Sequence, residues 1–115
     1  VAVVLETNLA LVRGAPQIIF TAIALQLPGV FSGKLDLNAL SNAADEIKIS
    51  LKTKYTSIGS FIAAEENITF QQVDKIARIT PTVEQYGYEL TVELLAASPS
   101  ATATLAVLLL RTPAA

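Results

Sequence analysis

The segment Asp45–Tyr55 alternates with a period of two: Ile47, Ile49, Leu51, Thr53 and Tyr55 face one way, and Glu46, Lys48, Ser50, Lys52 and Lys54 the other. An α-helix would scatter these residues around its circumference, so the pattern implies a strand with one buried and one wet face. Tyr86–Leu94 repeats it, with Tyr86, Tyr88, Leu90, Val92 and Leu94 inward and Glu89, Thr91 and Glu93 outward. The two polar faces carry opposite signs. The segments are therefore expected to lie side by side or on the same exposed sheet; as neighbours, Lys48, Lys52 and Lys54 would pair across the ladder with Glu89 and Glu93, each pair contributing about 0.2–1 kcal/mol.

Other segments are apolar on both sides: Gln17–Leu27, Thr102–Leu110 and, more weakly, Val1–Val12. Such strands lie centrally or have their outer face covered. Shorter strand candidates are Lys34–Leu37, Ser60–Ala63, Asn67–Val73 and Lys75–Thr80, and Asn38–Ala44 reads as a short helical turn. Pro28-Gly29, Ser32-Gly33, Ser57–Ser60, Pro81 and Ser98-Pro99-Ser100 punctuate the chain at the spacing of an all-β domain. The reading is all-β: one antiparallel β-sandwich or jelly-roll-like barrel of about seven to nine strands. It fills residues 1–115, with Val1–Arg13 as a candidate extended arm reaching a neighbour.

Composition narrows the chemistry. The chain has no Cys, His, Met or Trp, which excludes disulfide frameworks, thiolate or imidazole metal sites, Cys nucleophiles and His-based triads. Seven Ser residues have no His partner, no Gly-rich phosphate loop occurs, and all three Tyr fall on apolar strand faces and read as core. No enzymatic activity and no cofactor are expected. A net charge of −2 without a basic cluster argues against nucleic acid. Gly14–Gly33 carries no charge, but Pro16, Gln26 and Pro28-Gly29 interrupt it, so no membrane span is expected. A first residue of Val is compatible with initiator Met removal or with cleavage of a preceding segment.

Several side-chain groups invite a functional reading and have a plainer one. Glu65-Glu66 is the only adjacent carboxylate pair, and reads as a solvated loop. Asp36, Asn38, Asn42 and Asp45-Glu46 supply oxygens of the kind that bind Ca²⁺, but match no EF-hand spacing and are ordinary turn residues. Asn67-Ile-Thr69 fits the N-glycosylation sequon. The Lys48, Lys52 and Lys54 stripe has no interleaved aromatics for stacking nucleic acid bases, so it reads as a solvated, charge-paired face.

Charge is unevenly placed. Residues 1–33 carry only Glu6 and Arg13, and residues 94–115 only Arg111. Apolar strands in charge-poor regions suggest a subunit contact. The expected carriers are Ile19, Ile23 and Leu25 on one strand and Leu105, Val107 and Leu109 on the other, giving a homo-oligomer, dimer or trimer.

The run Leu35-Asp-Leu37, Asp45–Tyr55, Gly59-Ser-Phe61, Ile68-Thr-Phe70 and Tyr88–Leu94 resembles small β-sandwich virion proteins of tailed bacteriophages, over about residues 30–111. In these a hydrophobic–Asp–hydrophobic step leads into an alternating strand, a Gly turn, a Thr-centred strand and a final strand pair. The resemblance implies a non-enzymatic decoration (cement) protein on the capsid surface, bound to the major capsid protein, with no catalytic residues to carry over. Two alternatives are a tail or surface binding module for carbohydrate or peptide, and a carrier of apolar ligands in an open barrel.

Overall fold

Residues 1–114 are described by a computed structural model. Period-two segments dominate the chain and become eight strands: β1 (Ala2–Val12), β2 (Gln17–Thr21), β3 (Gly29–Asp36), β4 (Glu46–Thr53), β5 (Ile62–Phe70), β6 (Ile76–Glu84), β7 (Tyr88–Leu94) and β8 (Thr102–Pro113). They form two four-stranded antiparallel sheets, ordered β1-β8-β3-β6 and β2-β7-β4-β5. The pairs β1·β8, β2·β7, β3·β6 and β4·β5 are those of one long hairpin folded at the β4–β5 turn. Rolling that hairpin adds the β3·β8 and β4·β7 contacts and yields a jelly roll.

The expected neighbours are neighbours: β4 pairs with β7, setting Lys48 opposite Glu93 and Lys52 opposite Glu89. Ile47, Ile49, Leu51 and Thr53 turn inward to meet Leu94, Val92, Leu90 and Tyr88. The inner face of the other sheet contributes Leu9, Leu11, Phe31, Leu35, Ala77, Ile79, Leu105, Val107 and Leu109. At its centre the Tyr88 ring stacks on Phe31 at 4.5 Å with an interplanar angle of 6°, and Phe20 leans on both. This cluster fills the space that a carrier of apolar ligands would keep open.

Several boundaries differ from the sequence reading. Gln17–Leu27 is β2 only as far as Thr21; a 3-10 turn at Ala24–Gln26 follows, then a cis Leu27–Pro28 bond. Ser60–Ala63 and Asn67–Val73 merge into β5, so Glu65-Glu66 lies on a strand and not in a loop. β6 runs through Pro81, which an edge strand tolerates because the missing N–H faces no partner. The Asn38–Ala44 helical turn shrinks to Leu37–Ala39, where Asp36 Oδ1 accepts from the Asn38 N–H at 2.9 Å. Tyr55 and Tyr86 lie beyond their strands and are exposed; only Tyr88 is core. Nor is Val1–Arg13 a free arm: β1 pairs with β8 from Ala2 to Val12. No helix among the described residues is long and apolar enough to cross a membrane.

Candidate interaction surface

Antiparallel connections in a jelly roll emerge alternately at its two ends. The β2–β3, β4–β5 and β6–β7 loops share one end with the start of β1 and the finish of β8. Residues 22–28, 54–61 and 85–87 make these loops, and Lys54 is their single charged residue. Large apolar side chains concentrate here. Ile23 and Leu25 project from the first loop, Tyr55 and Ile58 from the second and Tyr86 from the third; Leu25 is 89% and Ile58 97% exposed. Val3, Ile62 and Val83 are exposed at the adjoining strand ends. Of the loops at the opposite end, only the β5–β6 loop exposes a large apolar side chain, Val73, with Val12 at the end of β1 and Ile76 at the start of β6 beside it.

The loops are held in shape. Arg111 on β8 donates through Nε to the Gln26 carbonyl at 2.5 Å and through Nη2 to that of Pro28 at 3.1 Å. The Ile23 N–H donates to Gln26 Oε1 at 3.0 Å, closing the turn that presents Ile23 and Leu25. Gly29 is required beside it, since a Cβ there would lie 2.6 Å from the Gln26 carbonyl oxygen and 2.8 Å from Arg111 Nε. In the second loop the Lys54 ammonium sits 4.8 Å from the centroid of the Phe61 ring. Gly87 of the third loop packs so closely that an added Cβ would be 3.0 Å from both residues. Rigid presentation lowers the entropy lost when such a surface is covered.

The subunit-contact residues expected from sequence divide sharply. Leu105, Val107 and Leu109 are buried core of β8, facing the opposite sheet, and cannot meet another subunit. The signal misled because β8 is a central strand flanked by β1 and β3, so its outer face is also largely apolar, with Ala106, Leu108 and Leu110. Ile19 is half-buried against the core, whereas Ile23 and Leu25 stand free, on the loop and not on a strand. Tyr55, Ile58 and Tyr86 join them; the neighbouring Gly59 and Gly87 mark turns at Ile58 and Tyr86, whereas Tyr55 and Tyr86 continue the alternation of their strands and so gave no sequence signal of exposure.

The charged face is distributed over the outside of the β2-β7-β4-β5 sheet. Lys52 Nζ lies 3.9 Å from Glu89, but Lys48 Nζ reaches Glu66 on β5 at 3.6 Å, and Lys54 covers Phe61. Glu93 forms no ion pair among the described residues. The other polar groups are engaged locally. Glu65 Oε1 accepts from Thr80 Oγ1 at 2.8 Å and from Asn67 Nδ2 of the sequon at 2.5 Å. Asn42 Oδ1 accepts from the Ala44 N–H at 2.9 Å, and buried Asp45 Oδ1 from the Ser100 N–H at 3.0 Å. These oxygens serve separate turns, and no cluster of three or more acidic, His or Cys residues able to hold a metal occurs among the described residues. Inside the sandwich Glu84 accepts from Thr82 Oγ1 at 2.8 Å and from Thr53 Oγ1.

The outer face of the other sheet carries an open groove of about 650 Å³ over a floor of Ala106, Val107 and Leu108, rimmed by Glu6, Asn8, Lys34, Asp36 and Asn38. Compared with known proteins, the chain matches no family model and no curated protein.

Proposed function

We propose that this chain is a non-enzymatic structural protein of a virion, a decoration protein that docks onto the major capsid protein through its apolar loop end. One observation carries the reading: three nearly uncharged loops present Ile23, Leu25, Tyr55, Ile58 and Tyr86 to solvent on a single end of the jelly roll. Together with the adjoining strand ends they make an exposed apolar end of the kind that marks a protein contact. Burying it stabilises a contact at about 25 cal/mol per Å² before association costs. Repetition over a shell multiplies a modest single contact by multivalency. The resemblance to small virion β-sandwiches supports a repeating protein lattice as the partner.

The test is co-sedimentation with capsid shells assembled from a tailed-phage major capsid protein. The wild type should pellet saturably, in fixed ratio to shell subunits. Leu25→Asp and Ile58→Asp should stay in the supernatant with unchanged melting temperatures, because both side chains are exposed. A wild type that stays in the supernatant, or Asp variants that pellet equally, refutes the reading.

A second reading rests on the groove over Ala106–Leu108. Mixed donors and acceptors around an apolar floor suit a carbohydrate or peptide ligand of a surface binding module. Saturable shifts of Asn8 and Asn38 amide resonances on titration with oligosaccharides or peptides would favour it.

A further inference from the structure

We propose that β1 pairs edge to edge with β1 of a second copy, joining the two β1-β8-β3-β6 sheets into one continuous sheet about a two-fold axis at Thr7. The edge is open for a definable reason. Along a strand, successive residues turn their N–H and C=O to opposite sides. The Arg13 N–H bonds to Ala101 beside β8, whereas the Ala10 and Val12 carbonyls accept from the Gln17 side chain at 2.7 Å and the Ala15 N–H at 3.1 Å. Even-numbered residues from Glu6 to Val12 therefore face away from β8. Gln17 and the turn close the far half of that edge, leaving the N–H and C=O of Glu6 and Asn8 without partners.

The other three edges are blunted. β6 carries Pro81 and an irregular register against β3. β5 carries Glu65-Glu66 and a bulge opposite Leu51–Lys52. β2 has five residues and a register shift between Ile18 and Phe20. β1 has eleven residues, no proline and one charge, and its own register shift lies between Val3 and Leu5, outside the regular run from Glu6 to Val12, which is left without protection against pairing.

The register follows from the same residues. Only partners whose outward-facing groups match can exchange hydrogen bonds. Placing Thr7 on the axis sets Glu6 opposite Asn8 of the second copy and Asn8 opposite its Glu6, for four backbone hydrogen bonds. The Glu6 carboxylate then meets a carboxamide, and Thr7 meets Thr7, a favourable cross-strand pair. Sliding one way opposes the two Glu6 carboxylates directly. Sliding the other way needs the Ala10 carbonyl, which Gln17 already occupies. A second copy thus fits this edge in one register.

Sedimentation equilibrium from about 10 to 500 µM, the range in which small interfaces saturate, should show a species of twice the 12.2 kDa chain mass. Asn8→Pro removes an N–H that faces away from β8, so it should yield a folded monomer. Thr7→Cys, in a chain with no other cysteine, should form a disulfide dimer under mild oxidation, because residues facing each other in a non-hydrogen-bonded pair are about 4.5 Å apart. Thr21→Cys on the β2 edge should not. If Asn8→Pro unfolds the chain, the two cysteine variants decide. A wild type that is monomeric throughout, a dimer that a folded Asn8→Pro leaves intact, or equal cross-linking of both cysteine variants overturns the proposal. Leu25→Asp and Ile58→Asp, which abolish docking at the loop end, should leave this dimer unchanged.

Discussion

Tyr88→Phe should make the protein more stable. The Tyr88 hydroxyl is fully buried and has no hydrogen-bond partner, while its ring stacks on Phe31. A buried unsatisfied hydroxyl costs about 1–3 kcal/mol. Removing it leaves a void of one oxygen atom, a loss of only about 0.3 kcal/mol at the usual cavity cost, and keeps the ring stack. The net gain is about 1–2 kcal/mol. An unfolding entropy of about 2.1 cal/mol/K per residue makes that a rise in Tm of about 4–8 °C for 115 residues.

The same hydroxyl gives a second readout. Burial, reinforced by the nearby Glu84 and Glu65 carboxylates, pushes Tyr88 ionisation well above the ordinary tyrosine range. Below about pH 10 the hydroxyl is protonated in both states. Above it the unfolded chain releases the proton and the folded protein keeps it, so the native state binds more protons and stability falls, by about 1.4 kcal/mol per pH unit. Phe has no such proton to hold. The advantage of Tyr88→Phe, measured by urea unfolding followed by circular dichroism, should therefore be constant through neutral pH and widen from about pH 10 upward. A variant destabilised by 1 kcal/mol or more near neutral pH would show that the hydroxyl has a partner, and a gap that does not widen in alkali would show that it ionises as freely in the fold as outside it.

Gly33→Ala should cost about 3 kcal/mol or more by thermal melt, since a Cβ there collides with the Leu108 carbonyl oxygen and lies 3.1 Å from Leu109 Cα, both backbone atoms of the central strand. Leu105→Asp should unfold the domain, because that side chain is 1% exposed and an unpaired carboxylate there has no compensation. Ile58→Asp should move stability by less than about 0.5 kcal/mol; similar melts for the two Asp variants would contradict the assignment of core and loop end.

The alternation of Asp45–Tyr55 and Tyr86–Leu94 made the β4·β7 pair legible, because a half-buried strand writes its orientation into every second residue. Opposite charge on the two wet faces supplied the partner as well. The pattern lost its meaning at strand ends. Tyr55 and Tyr86 continue the alternation in sequence, yet the backbone has already turned out of the sheet, so they belong to the loop end and not to the core. β8 was ambiguous for a different reason. A strand with neighbours on both sides is apolar on both faces whether its outer face is covered by a partner or only flanked, and Leu105, Val107 and Leu109 carry no mark that separates these cases. The β1 edge was invisible, since the direction of a backbone N–H depends on register and not on residue type.

Topology decides what the shortage of charge means. Residues 1–33 and 94–115 are distant in sequence, but β1, β8 and the first half of β3 lie side by side in one sheet. Apart from β2, which lies in the other sheet, the two charge-poor ends are thus one region of the molecule. Part of the shortage is spent within the domain: β8 is walled in by β1 and β3 and turns Leu105, Val107 and Leu109 into the core. What remains includes the outer face of β8, the outward edge of β1, which carries only Glu6, and the β2–β3 loop that Arg111 holds in place. The internal core does not account for the exposed Ile23 and Leu25 of that loop, although Ala22 and Leu27 beside them pack against it. On the two proposals, charge is missing where surfaces would lose water, and the two surfaces lie apart on the fold, one along a side and one at an end. On the two proposals above, a chain that joins its own copies along the side keeps the end free for a lattice.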